Sequence, residues 1–588
     1  MPDEWWDRAG GAIVAVGSTS IRDPSPPPGP RPAAYPPEVD WSASLPVYPL
    51  DGLLDDAVRR FDQRPCLDFF DRKYSFREIG DLVARAAKGL RDLGVVKGTR
   101  VGLFLPNTPY YVICYFAVLK AGGTVVNFNP LYAEPEVRHL LADSGAEIMV
   151  TLDLALLYPS VARLIGSARL RRIVVCPMAS VLPFVKSWLF RLFKRRDVAR
   201  WREDETHVAF ATLIANDGIV PAAAIEPLRD VAVLQYTGGT TGTPKGAMLT
   251  HANLLANTMQ CRLWFQGTKE GGERVLAVLP FFHVFAMTSA MNFAISVGAE
   301  IVMLPRFELK TLLHTIARKK PTIFPGVPTI YTAINNSKET AKYDLSSIKS
   351  CISGGAPLPV EVKASFERLT GCVLVEGYGL SEASPVVACN PFNGANKAGS
   401  VGLPLPGTLI EIVTLDEQPP RVLPQGERGE ICVTGPQIMA GYWGKPEETA
   451  RVLAGGRLHT GDVGYLDADG YLFLVDRIKD VIIASGYKIY PRNVEEAIYQ
   501  HQAVAECIVL GLPDPYRGQT VKAYVVRAAG QDLSEADLLA FLADKLSPME
   551  MPKQIEFRAS LPKTLIGKPS KKDLLAEEAQ RAAAGASG

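Results

Sequence analysis

Between residues 100 and 150 the chain switches period in a fixed order, and that order leaves few folds open. Arg100-Val-Gly-Leu-Phe-Leu105 is an apolar run of strand length. Residues 110–120 form an apolar helix closed by Ala121-Gly-Gly123, and Thr124-Val-Val-Asn-Phe128 returns as a strand. Residues 135–143 then read as helix and Glu147-Ile-Met-Val150 as strand. A β-α-β-α-β order implies a mostly parallel sheet covered by helices. A similar rhythm runs from Arg274 to Ile352. Near Val475-Asp-Arg-Ile-Lys-Asp480 the grain changes. A short helix (494–501), two strands (504–510 and 521–526) and another helix (535–546) make one small α+β unit on a charged connector.

With 588 residues the chain exceeds what one core supports. The expected architecture is a large α/β N-terminal domain over residues 45–476, its parallel-rich sheets flanked by helices. A hinge at 477–480 and a small mobile α+β C-terminal domain at 481–576 complete it. Residues 1–44, with their Asp23-Pro-Ser-Pro-Pro-Pro-Gly-Pro-Arg-Pro32 run, are expected to be a poorly ordered, polyproline-like leader. Residues 577–588 are expected to be a disordered tail.

The chemistry concentrates first in Tyr236-Thr-Gly-Gly-Thr-Thr-Gly-Thr-Pro-Lys-Gly246, between the β-branched Val231-Ala-Val-Leu234 and a helix starting near His251. Glycines let backbone N–H groups approach anionic oxygens, threonines donate further hydrogen bonds, and Lys245 adds a mobile charge. This is a phosphate loop, but not a Walker A loop, because Pro244 precedes Lys245 and Gly246 follows it.

Composition narrows the class. A formal net charge of +1 argues against a nucleic-acid partner held by bulk electrostatics. Nine cysteines are scattered with no Cys-x-x-Cys pair, and the seven histidines include no His-Glu-x-x-His. The reading is a cytoplasmic, reduced protein without a zinc knuckle. The N-terminus lacks a basic secretory start, and no apolar run reaches 18 residues.

Further clusters ask for a nucleotide. Ser353-Gly-Gly-Ala-Pro357 follows a strand and leaves backbone free to approach a flat ligand. In Glu376-Gly-Tyr-Gly-Leu-Ser-Glu382 the glycines open space beside Tyr378, and Glu382 offers a hard oxygen for magnesium. His459-Thr-Gly-Asp462 places a carboxylate suited to a ribose diol, and Lys563-Thr-Leu-Ile-Gly-Lys568 sets a lysine beside glycine.

Together with Leu279-Pro-Phe-Phe-His-Val-Phe285, Gly441-Tyr-Trp443 and Asp476-Arg477, these motifs resemble the adenylate-forming superfamily over roughly residues 45 to 576. That superfamily includes acyl-CoA synthetases, luciferase and the adenylation domains of peptide synthetases. Within it the chain most resembles bacterial long-chain fatty-acid–CoA ligases.

The resemblance implies a two-step reaction with ATP, Mg2+ and coenzyme A: a fatty acid becomes acyl-AMP plus pyrophosphate, then acyl-CoA plus AMP. Carried over by position, Lys568, Glu382 and His283 are catalytic. Thr237, Gly238, Gly239, Thr240, Thr241, Gly242 and Lys245 hold phosphates, with Glu382 and Thr240 toward the metal. Gly355, Ala356, Tyr378, Gly379 and Ser381 surround adenine. Asp462 and Arg477 hold the ribose, Lys479 lies at the hinge, and Gly486 and Lys488 border the pantetheine channel. Two positions depart from the family pattern. Ser381 replaces a common threonine but keeps its hydroxyl, and Lys571-Lys572 stand where paired arginines are frequent, without their bidentate fork.

One segment lies outside the family pattern. Wound as a helix, residues 181–196 place Lys186, Ser187, Arg191, Lys194 and Arg195 on one half. Leu182, Val185, Trp188, Leu189, Leu192 and Phe193 fall on the other, with Phe184 and Phe190 as misfits. Either this helix docks the enzyme on the inner face of an anionic membrane, or it packs its apolar side on the large lobe. Aromatic and apolar residues around 280–291 and 324–331 favour a medium or long aliphatic acid; dicarboxylic and aryl acids stay open, as does a homodimer. Two other functions also stay open: a fatty-acyl-AMP ligase serving a carrier protein, and a non-catalytic fatty-acid carrier at the membrane.

Overall fold

A computed structural model describes residues 31–237, 244–417, 419–485, 487–528, 530–563 and 570–585. Two domains with separate cores make up the molecule. One hydrophobic cluster runs from Tyr35 to Leu472, and another from Ile482 to Leu546.

The β-α-β-α-β stretch forms as expected. Arg100–Phe104, Thr124–Asn127, Ile148–Leu152, Arg172–Cys176 and His207–Ala209 are parallel neighbours in a seven-stranded sheet. The helix Pro109–Ala121 is almost wholly buried among them, which is why its sequence lacks a polar face. At one edge, Val231–Thr237 pairs antiparallel with Lys245–Thr250. That second strand is a departure from the sequence reading, which ran the phosphate loop straight into the helix at His251. The helix itself, His251–Trp264, starts at Thr250, whose side chain accepts from Asn253 N.

A nine-stranded sheet carries the second rhythm. Its parallel centre includes Arg274–Ala277, Ile323–Gly326, Ser350–Ser353 and the first half of Val373–Gly379. The last strand then changes partner: from Gly377 onward it pairs antiparallel with Val386–Cys389. Loops leaving the carboxyl ends of Ser350–Ser353 and Val373–Gly379 therefore open together, the usual place for a ligand in such sheets. A four-stranded antiparallel sheet spanning Leu409 to Arg477 closes the large domain.

The turn Ile478–Asp480 leads into the small domain. There Val504–Asp514 and Gly518–Arg527 form a long hairpin, with Gln554–Arg558 added parallel. Helices Pro491–Tyr499 and Glu535–Leu542 cover it.

Residues 1–30 of the expected leader and 586–588 of the expected tail lie outside the described residues, but 31–44 and 577–585 depart from expectation. Within the presumed leader, Tyr35, Val39 and Trp41 are buried, and the Tyr35 ring meets Trp264 at 5.5 Å. Aromatic burial outweighs the local proline content there. The helix Lys571–Gly585 takes in residues 577–585 of the expected loose tail. Leu574 is buried with Ile508, Leu510 and Tyr524, while Arg581 and Glu578 pair with Glu556 and Lys522. Among the described residues no helix is long and apolar enough to cross a membrane.

Residues 181–196 do contain a helix, Phe184–Phe193, but it lies the other way round from simple packing on the lobe. Leu182 is buried before the helix begins, and the misfit Phe190 makes the core contact. Phe184 is 87% exposed and Phe193 73%, with Val185, Trp188, Leu189 and Leu192 also exposed. Lys186 is turned inward to Asp71 and the Phe70 carbonyl.

Candidate active site

A cleft of about 2640 Å³ runs between the two domains. Tyr378, Asp462 and Arg477, which the sequence places in three separate motifs, meet on one wall. The Tyr378 hydroxyl donates to Asp462 Oδ2 at 2.6 Å, and Arg477 Nε lies 3.1 Å from Asp462 Oδ1. The arginine and aspartate are cross-strand partners in the four-stranded sheet, so register alone brings them opposite. Burial raises the Asp462 carboxyl above its ordinary range, and Arg477 and Tyr378 oppose that shift. Asp462 in turn raises Arg477, holding the guanidinium charged. The wall is thus a buried acceptor fixed by a phenol and a cation, suited to binding a diol.

Backbone shape shares the work. Gly355 adopts φ +80°, and both it and Ala356 line the cleft. Any Cβ at Gly379 would stand 2.0 Å from the Pro385 carbonyl oxygen, so the chain can approach there only as glycine. Ser381 and Glu382 follow in the same wall.

In the same cleft, Lys245 and Glu382 are tied by a residue to which the sequence assigned no role. The Tyr442 hydroxyl donates to Glu382 Oε1 at 2.7 Å, and the Tyr442 ring sits 5.3 Å from Lys245 Nζ. Lys245 also pairs with Glu448 Oε2 at 2.7 Å. A carboxylate oxygen of Glu382 has lone pairs to spare beyond the tyrosine bond, and the residue fits a Mg2+ ion carried with the triphosphate. Gly441-Tyr-Trp443 was visible as a motif, but only the fold puts it against Glu382.

Thr237 and His283 line the cleft, His283 with Phe282 and Phe285 beside it. The His283 ring accepts from Phe285 N at 3.3 Å. Lys488 lies elsewhere. It sits on the strand Tyr487–Ile489, is exposed, and reaches Asp416 at 3.0 Å rather than the cleft. Gly238, Gly239, Thr240, Thr241, Gly242, Gly486 and Lys568 lie outside the described residues.

The domains are joined by charge. Lys571 Nζ stands 4.0 Å from Asp476, 3.8 Å from Asp480 and 3.9 Å from Glu495, bridging large domain, hinge and small domain. Burial lowers its pKa, but the three carboxylates outweigh it and hold the ammonium charged. A compact ammonium thus serves here where a guanidinium fork is absent. Arg492 is also buried, its backbone N–H donating to Asp476 Oδ2 at 2.9 Å. Burial pushes the nearby Glu376 carboxyl up to about 7, with Arg492 pulling it back. Arg492, Glu376 and Glu495 carried no signal in the sequence, because their meaning comes from the docking of two domains.

Residues 54–443 match the profile of AMP-binding enzymes, and residues 493–568 match the C-terminal domain of AMP-binding enzymes. The chain belongs to that family. Its relatives include a long-chain-fatty-acid–CoA ligase of Bacillus subtilis, 46% identical over 93% of this chain and 98% of the relative. A feruloyl-CoA synthase of Amycolatopsis is 36% identical over 84% of this chain and 92% of its own. Among solved structures, the anthranilate CoA ligase AuaEII in complex with anthranoyl-AMP superposes with a TM-score of 0.81 at 27% identity, covering 92% of this chain and 99% of that one. ATP-bound MatB from Rhodopseudomonas palustris gives 0.78 at 27% identity, covering 90% and 98%.

Proposed function

We propose that the protein is an ATP- and Mg2+-dependent ligase that joins a medium- or long-chain fatty acid to coenzyme A by way of an acyl-adenylate. The observation that carries this reading is the meeting of Tyr378, Asp462, Arg477 and Glu382 on one cleft beneath the small domain. The full-length likeness to the Bacillus subtilis ligase supports the choice of acid and thiol.

The chemistry follows from the geometry. A carboxylate is a poor nucleophile toward an anionic phosphate, so the two must be fixed in line and their repulsion offset. Orientation and preorganised charge together can remove on the order of 7–11 kcal/mol from such a barrier. Asp462, held by Tyr378 and Arg477, takes the ribose hydroxyls, while Tyr378 and the Gly355–Ala356 turn bracket adenine. Lys245 leaves Glu448 for the β and γ phosphates. Mg2+ held by Glu382 would offset phosphate charge. Lys568 arrives from the small domain to bridge the carboxylate and the α-phosphate, then withdraws as the domain turns at Lys479. The apolar side of the cleft at Phe282 and Phe285, with Met287 and Phe324 buried behind, suits an aliphatic chain.

Pyrophosphate release and thioester formation, measured with and without CoA across aliphatic, dicarboxylic and aryl acids, test the reading. Pyrophosphate without thioester would make the protein an acyl-AMP ligase, and no ATP consumption a carrier. Lys568→Ala abolishes adenylation yet largely spares thioester formation from supplied acyl-adenylate; equal loss of both would refute its role.

The helix Phe184–Phe193 supports a second, finer element of this reading: contact with anionic membrane. Its exposed apolar face, with Arg191, Lys194, Arg195 and Arg196 nearby, has the composition of an interfacial helix. Trp188→Ala with Lys194→Ala should lose flotation with anionic vesicles; unchanged flotation would remove this element. Light scattering on the same samples separates monomer from homodimer.

A further inference from the structure

Beside the ribose wall lies a group of side chains the reaction does not use. Glu430 and Cys432 belong to the strand Gly429–Thr434, two residues apart and so on one face. His459 lies on the neighbouring strand Leu458–Leu466, directly opposite Cys432. His459 Nδ1 is 3.4 Å from Cys432 Sγ and 2.8 Å from Glu430 Oε2, and all three donor atoms fall within 4.8 Å of one another. Among the described residues no other His, Cys, Asp and Glu side chains gather three donors this closely. Glu430 and His459 are each 16% exposed and line the cleft, so a fourth ligand can enter as water. The absence of a Cys-x-x-Cys pair hid this group, which is assembled across two strands.

A tetrahedral zinc with ordinary bond lengths needs ligand atoms about 3.4 Å apart for nitrogen and oxygen and about 3.6 Å apart for nitrogen and sulfur. The Cys432–His459 spacing nearly meets that requirement as it stands. The His459–Glu430 spacing must widen by roughly half an ångström. Two hydrogen bonds make that widening felt. Glu430 Oε1 accepts from Gly461 N at 3.0 Å, and Thr460 Oγ1 accepts from Asp462 N at 3.1 Å. Thr460 and Gly461, held by these bonds, thus lie between His459 and Asp462, which reaches Tyr378.

We propose that Glu430, Cys432 and His459 bind a zinc-class divalent cation, distinct from the Mg2+ carried with ATP, and that its binding displaces Asp462 and weakens the nucleoside site. The first half stands on the donor geometry alone; the second rests on the assignment of Asp462 to the ribose.

The test uses the purified full chain, stripped of metal and titrated with Co2+ as a spectroscopic probe. One equivalent should produce a thiolate-to-cobalt charge-transfer band that Zn2+ displaces and that Cys432→Ser lacks. Zinc affinity, from the displacement, should fall at least about 10–100-fold in that variant. His459→Asn is the second variant, should Cys432→Ser fold poorly. No band, or an unchanged band in Cys432→Ser, would overturn the site. The coupling is read from the binding of an acyl-sulfamoyl adenosine, which carries no phosphate to sequester metal. Zinc should weaken it several-fold in the wild type and not in Cys432→Ser; a cobalt band with unchanged analogue affinity would overturn the coupling. Asp462→Asn that leaves analogue affinity intact would instead refute the ribose assignment.

Discussion

His251 takes no part in the cleft, yet it ties the stability of the large domain to pH. It is buried, its Nδ1 accepts from Leu50 N at 3.0 Å, and burial lowers its pKa to about 4. The folded pKa lies below the ordinary value of 6.5, so between those limits the unfolded chain binds a proton that the folded chain refuses. Stability is therefore complete above pH 6.5 and is lost as pH falls toward 4, by about 3 kcal/mol in all. His251→Asn should flatten that part of the urea-midpoint profile between pH 7 and 4.5; an equally steep profile would show that other groups control it. Tyr442 tests the site itself. Tyr442→Phe removes one hydrogen bond to a charged acceptor, and adenylation should fall about tenfold while thioester formation from supplied acyl-adenylate changes little. At this scale the sequence was legible where a motif stood out by itself, as around Asp462 and Glu382, both of which line the cleft. It was silent on Tyr442, Glu448 and Arg492, whose partners lie 60 or more residues away or across a domain boundary.

At the scale of elements, the helix Lys571–Gly585 carries Lys571 into a ring of three carboxylates. Ser570 and Lys571 line the cleft, so the start of this helix reaches it in the present orientation of the small domain. Lys571→Met should therefore depress adenylation about tenfold more than thioester formation, a difference of about 1.4 kcal/mol in transition-state stabilisation. Lys571→Arg should restore the ratio, and an equal loss in both half-reactions would mark the lysine as merely structural. Elements were legible wherever period spoke clearly, as in the buried helix Pro109–Ala121. The strand Lys245–Thr250 escaped notice because its register is fixed by Val231–Thr237 and not by its own pattern. The helix Phe184–Phe193 was legible as amphipathic, but nothing local could say which side would face the lobe.

For the whole molecule, the two cores are separate, and ion pairs cross between the domains. Lys488 with Asp416 and Lys571 with Asp476 cross from one domain to the other. Exposed pairs weaken as salt rises, whereas enclosed ones hold. Energy transfer between labels on the two domains should consequently change between about 0.05 and 0.5 M salt in the wild type, and start near its high-salt value in Lys488→Met, which removes the exposed pair. Identical salt curves would mean that apolar contact, not charge, sets the domain orientation. The division into domains was legible because the grain of the chain changes at the hinge; the ring of charge that spans it was not, since its members come from three elements.

The packing of Tyr35 and Trp41 has a practical corollary. Anyone trimming the start back to residue 45 to aid crystallisation would remove Tyr35 from beside Trp264, together with Trp41 that packs on Tyr35, and bare the surface they cover. A shortened version beginning at residue 31 keeps that seal intact, and it should melt at a higher temperature than the one starting at 45.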